Sequence, residues 1–173
     1  FMEERGLKLS DEKTVITNIN DGFDFLGWNF RKFKGKLLIQ PSRKSKQKVT
    51  KSLSRTVKYY HEASQELLII KLNQITRGWA EYHHCVCAKK TYALIDHRLW
   101  EMLWKWAKRR HPRKGKKWIK SRYWHPKGNR EWSFRTDKVI LYQMMDMPIV
   151  RIRSLDLKKS PFLDSEYFEH RRK

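Results

Sequence analysis

The sequence predicts an α+β chain that is mainly α: a β-hairpin, then an antiparallel three-helix bundle, then a small mixed C-terminal region that contains strands. Three observations predict it. Apolar residues step by 3 and 4 along residues 43–110, aromatic residues crowd one side of a glycine turn over 23–40, and short strand-like pieces of the tail are separated by turn residues. With 23 Phe, Trp and Tyr among 173 residues, the composition is that of a folded protein and not of a disordered basic tail. The length suits one domain, or two small ones that share a core.

In chain order, Leu7, Leu9, Val15 and Ile16 lie among polar neighbours, and Asp21-Gly22 marks a turn. Phe23, Phe25, Trp28, Phe30 and Phe33 read as one strand-like stretch, with Gly27 inside it as a bulge or a close backbone approach. Lys34-Gly35-Lys36 turns the chain, and Leu37-Leu38-Ile39 returns until Pro41 ends the strand. Ser42 then caps a helix over about 43–61, whose Val49, Leu53, Val57 and Tyr60 share a face. Ser64 caps a second helix with a seam of Leu68, Leu72, Ile75, Trp79, Tyr82 and Val86, in which Gly78 permits close helix approach. The third runs from about Lys89 to Arg110, with Tyr92, Ile95, Leu99, Met102 and Trp106 facing inward before Pro112 stops it. Short connections make neighbouring helices antiparallel. Arg113-Lys114-Gly115-Lys116-Lys117 reads as a basic loop, 131–135, 138–143 and 148–153 as short strands, and 161–173 as a helix opened by Pro161. A soft boundary near 112 divides the chain into units 1–41, 42–112 and 113–173.

Charge points to the partners. Forty Lys and Arg against 18 Asp and Glu leave a formal net charge of +22, which draws polyanions. By segment the charge is −3 over 1–30, +11 over 31–60, +1 over 61–100, +11 over 101–130 and +2 over 131–173. Two blocks thus hold nearly all of the excess, one without an acid between Arg31 and Tyr60, the other with Glu101 as its sole acid. A solvated surface mixes signs, so one-signed blocks mark binding surface. Candidate contacts in the first block are Arg31, Lys32, Lys34, Lys36, Arg43, Lys44, Lys46, Lys48 and Lys51, joined by Arg77 on the second helix. In the second block they are Lys108, Arg109, Arg110, Arg113, Lys114, Lys116, Lys117, Lys120 and Arg122. Trp118, Tyr123 and Trp124 interleave with these cations, the mixture that tracks a phosphate backbone and offers rings for base stacking; packing accounts for the same rings equally well. A membrane is not expected as a partner, because no apolar run nears the ~20 residues that a spanning helix needs.

Catalytic chemistry finds little footing. His83-His84-Cys85-Val86-Cys87 gathers two imidazoles and two thiols, but zinc sites separate paired cysteines by two or more residues and place a second pair elsewhere, so no metal site is expected. Cys85 and Cys87, two apart on a helix, cannot form an ordinary disulfide, and the chain suits a reducing compartment. Carboxylate pairs, a nucleophile with its base and a Gly-rich phosphate loop are all missing from the sequence, so no catalytic residue is expected. The opening Phe1-Met2-Glu3-Glu4 resembles neither a secretory leader nor a chain start, and is expected to continue a longer protein.

Specific segments carry a resemblance. Glu4-Arg5-Gly6-Leu7, Glu12-Lys13-Thr14 and Gly22-Phe23-Asp24-Phe25-Leu26-Gly27-Trp28 resemble the last sequence blocks of the polymerase palm in group II intron-encoded reverse transcriptase/maturases. Arg77-Gly78-Trp79-Ala80-Glu81-Tyr82, Lys89-Lys90-Thr91-Tyr92, Asp96-His97-Arg98-Leu99-Trp100 and the run from Trp104 to Pro112 are similar to their maturase region, the thumb. The resemblance covers roughly 1–125, then weakens to Ser160-Pro161-Phe162 and Tyr167-Phe168. The family's Tyr-Ala-Asp-Asp metal motif and its zinc-knuckled His-Asn-His endonuclease do not occur in this sequence.

The resemblance implies that 1–41 is the end of a reverse transcriptase palm, 42–112 a thumb and 113–173 a DNA-binding region. It implies intron RNA for the first basic block and target DNA for the second, with splicing, template–primer holding and retrohoming as the roles. Polymerase catalysis would lie in upstream fingers and palm of the same protein. No cofactor is expected in this fragment, while Mg2+ would serve the missing palm and the intron ribozyme. The setting implied is a ribonucleoprotein in the bacterial cytoplasm, associated with the nucleoid, or in an organelle. The competing reading from the residues alone is a stand-alone DNA-binding module unrelated to a polymerase.

Overall fold

The computed structural model describes residues 3–6, 8, 10, 14–150, 156, 158–160 and 162–169. A short 3-10 turn at Glu3–Arg5 precedes three strands, β1 (Phe23–Phe25), β2 (Trp28–Phe33) and β3 (Lys36–Pro41). Helices α1 (Arg43–Tyr59), α2 (Gln65–His83), α3 (Lys89–Arg110) and α4 (Lys116–Tyr123) follow, then β4 (Trp124–Lys127), β5 (Arg130–Phe134), a 3-10 turn at Met144–Asp146 and α5 (Ser165–Glu169). The architecture is α+β and mainly α, as the sequence predicts.

The first sheet is a three-stranded antiparallel meander in the order β1-β2-β3. The aromatic stretch expected as one strand is two, because Leu26 (φ 47°) and Gly27 (φ 82°) both take the left-handed conformation and close a two-residue hairpin between Phe25 and Trp28. Lys34 and Gly35 repeat the device between Phe33 and Lys36. Gly27 is therefore a turn residue and not a bulge. One sheet face carries Trp28 and Ile39, which pack on the helical core, while Phe23 and Phe25 on the edge strand β1 and Leu37 near the β2–β3 turn remain exposed.

Ser42 caps α1, its Oγ accepting the Ser45 amide at 3.1 Å, and Ser64 caps α2 through the Leu67 amide at 3.3 Å. Helix α1 is central, with Val49, Leu53 and Val57 buried between α2 and α3. On α2 Leu68 and Leu72 are buried as expected, as is Val86 after the helix, but with Ile69, Thr76, Ala80 and His83 also buried the seam between Leu72 and Val86 lies one position round from the expected one. Ile75 and Trp79 fall to its edge and Tyr82 is half-exposed. The α3 seam holds as expected at Tyr92, Ile95, Leu99 and Trp106, with Leu103 completing it and Met102 beside it. Burying side chains of this size is worth roughly 1.5–3 kcal/mol each relative to exposure.

Beyond Pro112 the core continues. The expected basic loop is non-helical over 113–115 and gives way to helix α4 at Lys116, and Ile119, Tyr123, Trp124, Phe134 and Met144 join the same buried cluster as α1–α3. Of the expected tail strands, 131–135 is largely β5, 138–143 makes only the isolated bridge Arg135–Ile140, and 148–150 is not a strand; 151–153 lie outside the described residues. The expected helix over 161–173 is described only as α5, with 161 and 170–173 outside the described residues, as are Leu7 and Leu9.

Polar side chains of the bundle replace strand pairing in holding this irregular segment. Gln65 Nε2 donates to the carbonyls of Tyr123 (2.9 Å) and Arg135 (3.2 Å). Asn73 donates to the Ile140 carbonyl at 2.8 Å and accepts the Tyr142 amide at 2.7 Å. Asp96 accepts the amides of Met144 and Met145 at 3.1 and 2.9 Å. Each bond satisfies a backbone group that an irregular chain would otherwise leave unpaired.

Candidate nucleic-acid interface

With Val49, Leu53 and Val57 facing inward, the helical period places Lys44, Lys48, Lys51, Arg55 and Lys58 half a turn away, at steps of 4, 3, 4 and 3. All five are exposed. They form a ridge about 20 Å long at 1.5 Å per residue, a little over half the ~34 Å turn of a duplex. Of the cations expected on this helix, Lys44, Lys48 and Lys51 stand on the ridge, Arg43 is exposed on the first turn, and Lys46 is half-buried on the core side. Arg55 and Lys58 went unread in the sequence, although the step from Lys51 would have found them.

One end of the ridge opens into a cleft of about 770 Å³ between the sheet, α1 and α2. Lys44 and Lys48 stand at its rim; Trp79, Tyr82 and Ile75 supply apolar wall, and Asp24 is the acid that lines it. A Cβ built on Gly78 would meet no atom within 4 Å, so this glycine faces the opening and does not serve helix approach. The wall is fixed by hydrogen bonds. Tyr82 donates to the Leu26 carbonyl at 2.5 Å, and Trp28 Nε1 donates to His83 Nδ1 at 3.0 Å. Because Nδ1 accepts, Nε2 carries the proton and donates to Ser45 Oγ at 3.1 Å, and the same oxygen accepts Trp79 Nε1 at 3.1 Å. Burial pushes the His83 imidazole down to about 4, so it is neutral at pH 7. An uncharged, rigid aromatic wall under a cationic rim suits a base and its phosphate.

The remaining cations of the first block lie elsewhere. Arg31, Lys32, Lys34 and Lys36 are exposed on the sheet away from α1, and Arg31 is tied by its Nε to the Asn20 carbonyl at 2.9 Å. Arg77 is set over the Tyr142 ring, 4.9 Å from its centroid, against the C-terminal segment and off the ridge.

The second block is likewise divided. Lys108, Arg109 and Arg110 are exposed on the last turn of α3, where cations complement the helix dipole. Arg113 and Lys114 follow in a turn, and Lys116, Lys117 and Arg122 are exposed on α4. Lys120 is half-buried, its ammonium 4.5 Å from the Trp132 centroid and 3.6 Å from Glu131. Of the three rings considered for stacking, Trp118 is exposed, with Lys114 Nζ 5.3 Å above it. Tyr123 and Trp124 are 6% and 2% exposed and belong to the core, so as stacking faces they are corrected to packing residues.

Residues 43–124, from the first residue of α1 to the cap of α4, match the family model of the group II intron, maturase-specific domain. This segment is similar to a group II intron maturase-specific domain. The similarity supports a role in group II intron splicing, with intron RNA as the partner. A comparison with curated proteins finds no match. The matched segment includes α4, which accords with a buried cluster that runs past Pro112. Among the described residues no group of three or more His, Cys, Asp and Glu is placed to hold a metal ion, and no helix is long and apolar enough to cross a membrane.

Proposed function

We propose that this chain is the nucleic-acid-binding part of a group II intron reverse transcriptase/maturase. The α1 ridge grips folded intron RNA by its phosphates, releasing counterions and stabilising the fold in which the ribozyme splices itself. The observation that carries this is the five-cation ridge on the maturase-specific domain, unopposed by any acid between Arg31 and Tyr60.

Two finer assignments belong to the same proposal. The cleft between sheet and helices holds template and primer, which its aromatic wall and lysine rim support. The cations at the end of α3 and on α4 meet target DNA during retrohoming, supported by their position on a separate element beside exposed Trp118. Polymerase catalysis lies outside this chain, in upstream fingers and palm; the exposed Phe23, Phe25 and Leu37 offer an apolar surface to that part.

The test is binding of a group II intron transcript across a salt series. Lys44→Ala, Lys48→Ala and Lys51→Ala together should weaken binding and make the slope of log affinity against log salt shallower by about 0.7–0.9 for each phosphate that is no longer neutralised. An unchanged slope would remove α1 from the interface.

A further inference from the structure

We infer that a second cleft, between the C-terminal ends of α1 and α3, receives a single unpaired nucleotide of the RNA bound along α1. It rests on the reading of α1 as an RNA-binding ridge. The cleft has a volume of about 600 Å³ and is lined by Val57, Lys58, Met102, Trp106, Arg109 and Arg110, with His61 and Glu62 at its edge. Lys58, the last cation of the ridge, is also its rim, so a backbone that follows the ridge arrives at this opening.

The cleft contains a preorganised platform. Arg110 Nη1 donates to the carbonyls of His61 at 3.0 Å and Ala63 at 2.7 Å, and its guanidinium lies 4.7 Å from the Trp106 ring centroid. Trp106 is itself pinned, its Nε1 donating to the Tyr60 carbonyl at 3.2 Å. With Trp106 buried beneath it, the planar face available to a ligand is the guanidinium, and unpaired bases stack on such planes. Val57 and Met102 supply the apolar floor that a base displaces water from, while Lys58 and Arg109 flank it for the phosphates on either side. Glu62 is the acid here, 3.3 Å from His61, which leaves the phosphate path to the Lys58 and Arg109 side. A base held in a duplex cannot reach this floor, so the cleft selects one that is bulged or swung out.

The test uses the whole chain and three RNA hairpins: one with a single bulged adenosine, one with an abasic residue at the bulge, and one fully paired. The unchanged protein should bind the bulged hairpin about tenfold more tightly than the other two, the size that base stacking supplies. Met102→Trp, which fills the floor, and Arg110→Lys, which keeps the charge and loses the plane, should each erase that preference, and Met102→Trp should leave affinity for the paired hairpin unchanged. Thermal melting identifies which variants are folded, and either one suffices. Equal binding of all three hairpins by the unchanged protein, the result expected if the cleft serves a protein segment, would overturn the inference and leave the α1 ridge standing. A preference that survives in a folded variant would overturn it too. Failure to bind any hairpin would instead overturn the RNA-binding reading beneath it.

Discussion

Trp28 donates its indole N–H to Nδ1 of His83 at 3.0 Å, and so ties the sheet to the end of α2. Protonation of the imidazole would set two donors against each other at Nδ1, and the buried ring resists it. Its folded value of about 4 lies below the ordinary 6.5, so the unfolded chain takes up a proton first as the pH falls. Stability from this group is complete above pH 6.5 and is lost as pH falls toward 4. Between pH 7 and 4 the unchanged protein should lose about 3 kcal/mol more than a His83→Gln variant in denaturant unfolding. Parallel pH curves for the two proteins would refute a neutral, buried His83.

Asp96 works in the opposite sense. Burial raises its carboxyl to about 6, against the amides of Met144 and Met145, which favour the ionised form. A raised folded value means that this stabilisation is full below pH 3.8 and falls away as the pH climbs to 6. Asp96→Ala should leave both amides without this acceptor and speed hydrogen exchange at Met144 and Met145 about fivefold or more, as the loss of roughly 1–3 kcal/mol per bond requires. Unchanged exchange there would show that the 3-10 turn holds without α3.

The helical period also divides the lysines of α1. Arg55→Ala and Lys58→Ala, on the ridge, should each weaken intron RNA binding and flatten its salt dependence, whereas Lys46→Ala, on the core side, should leave both nearly unchanged. Equal effects from all three, measured in one buffer, would mean that RNA reads the net charge and not the ridge.

The bundle was legible because its signals are local: Ser42 and Ser64 cap as read, and the apolar steps of α1 and α3 fall where the period puts them. Of the α2 seam Leu68, Leu72 and Val86 were legible and the middle was not, because Ile75, Trp79 and Tyr82 are read as the apolar face, yet Thr76, Ala80 and His83 face inward. Sequence hydrophobicity ranks side chains one at a time; here Thr76 is satisfied by the Leu72 carbonyl at 3.2 Å and His83 by Trp28 and Ser45. That rotation frees Trp79 and Tyr82 to line the cleft. The cations were legible as a set, but their grouping was not, since Arg77, Arg31 and Lys120 each bend toward a partner on another element. Helix α4 escaped notice because Gly115 and the surrounding lysines mask an amphipathic segment held by only Ile119 and Tyr123.

Trp118 and Trp124 stand six positions apart and separate binding from packing in the second basic block. Trp124 is 2% exposed among Trp104, Tyr123 and Phe134, with ring centroids 5.2, 6.3 and 5.1 Å away, so Trp124→Ala should cost roughly 3–5 kcal/mol of stability. Its Nε1 is buried without a hydrogen-bond partner among the described residues, so Trp124→Phe forfeits no bond there and should cost much less. Trp118 is 38% exposed, its ring bounded by His111 and Lys114. Trp118→Ala should barely move the melting temperature and should weaken binding of target DNA by about fivefold or more, the lower end of what one base stacked on an aromatic ring supplies. Melting curves and DNA titrations on the three variants decide it. A Trp118→Ala protein that melts early and binds normally would make this ring part of the fold, and would leave α4 with its lysines alone to meet DNA.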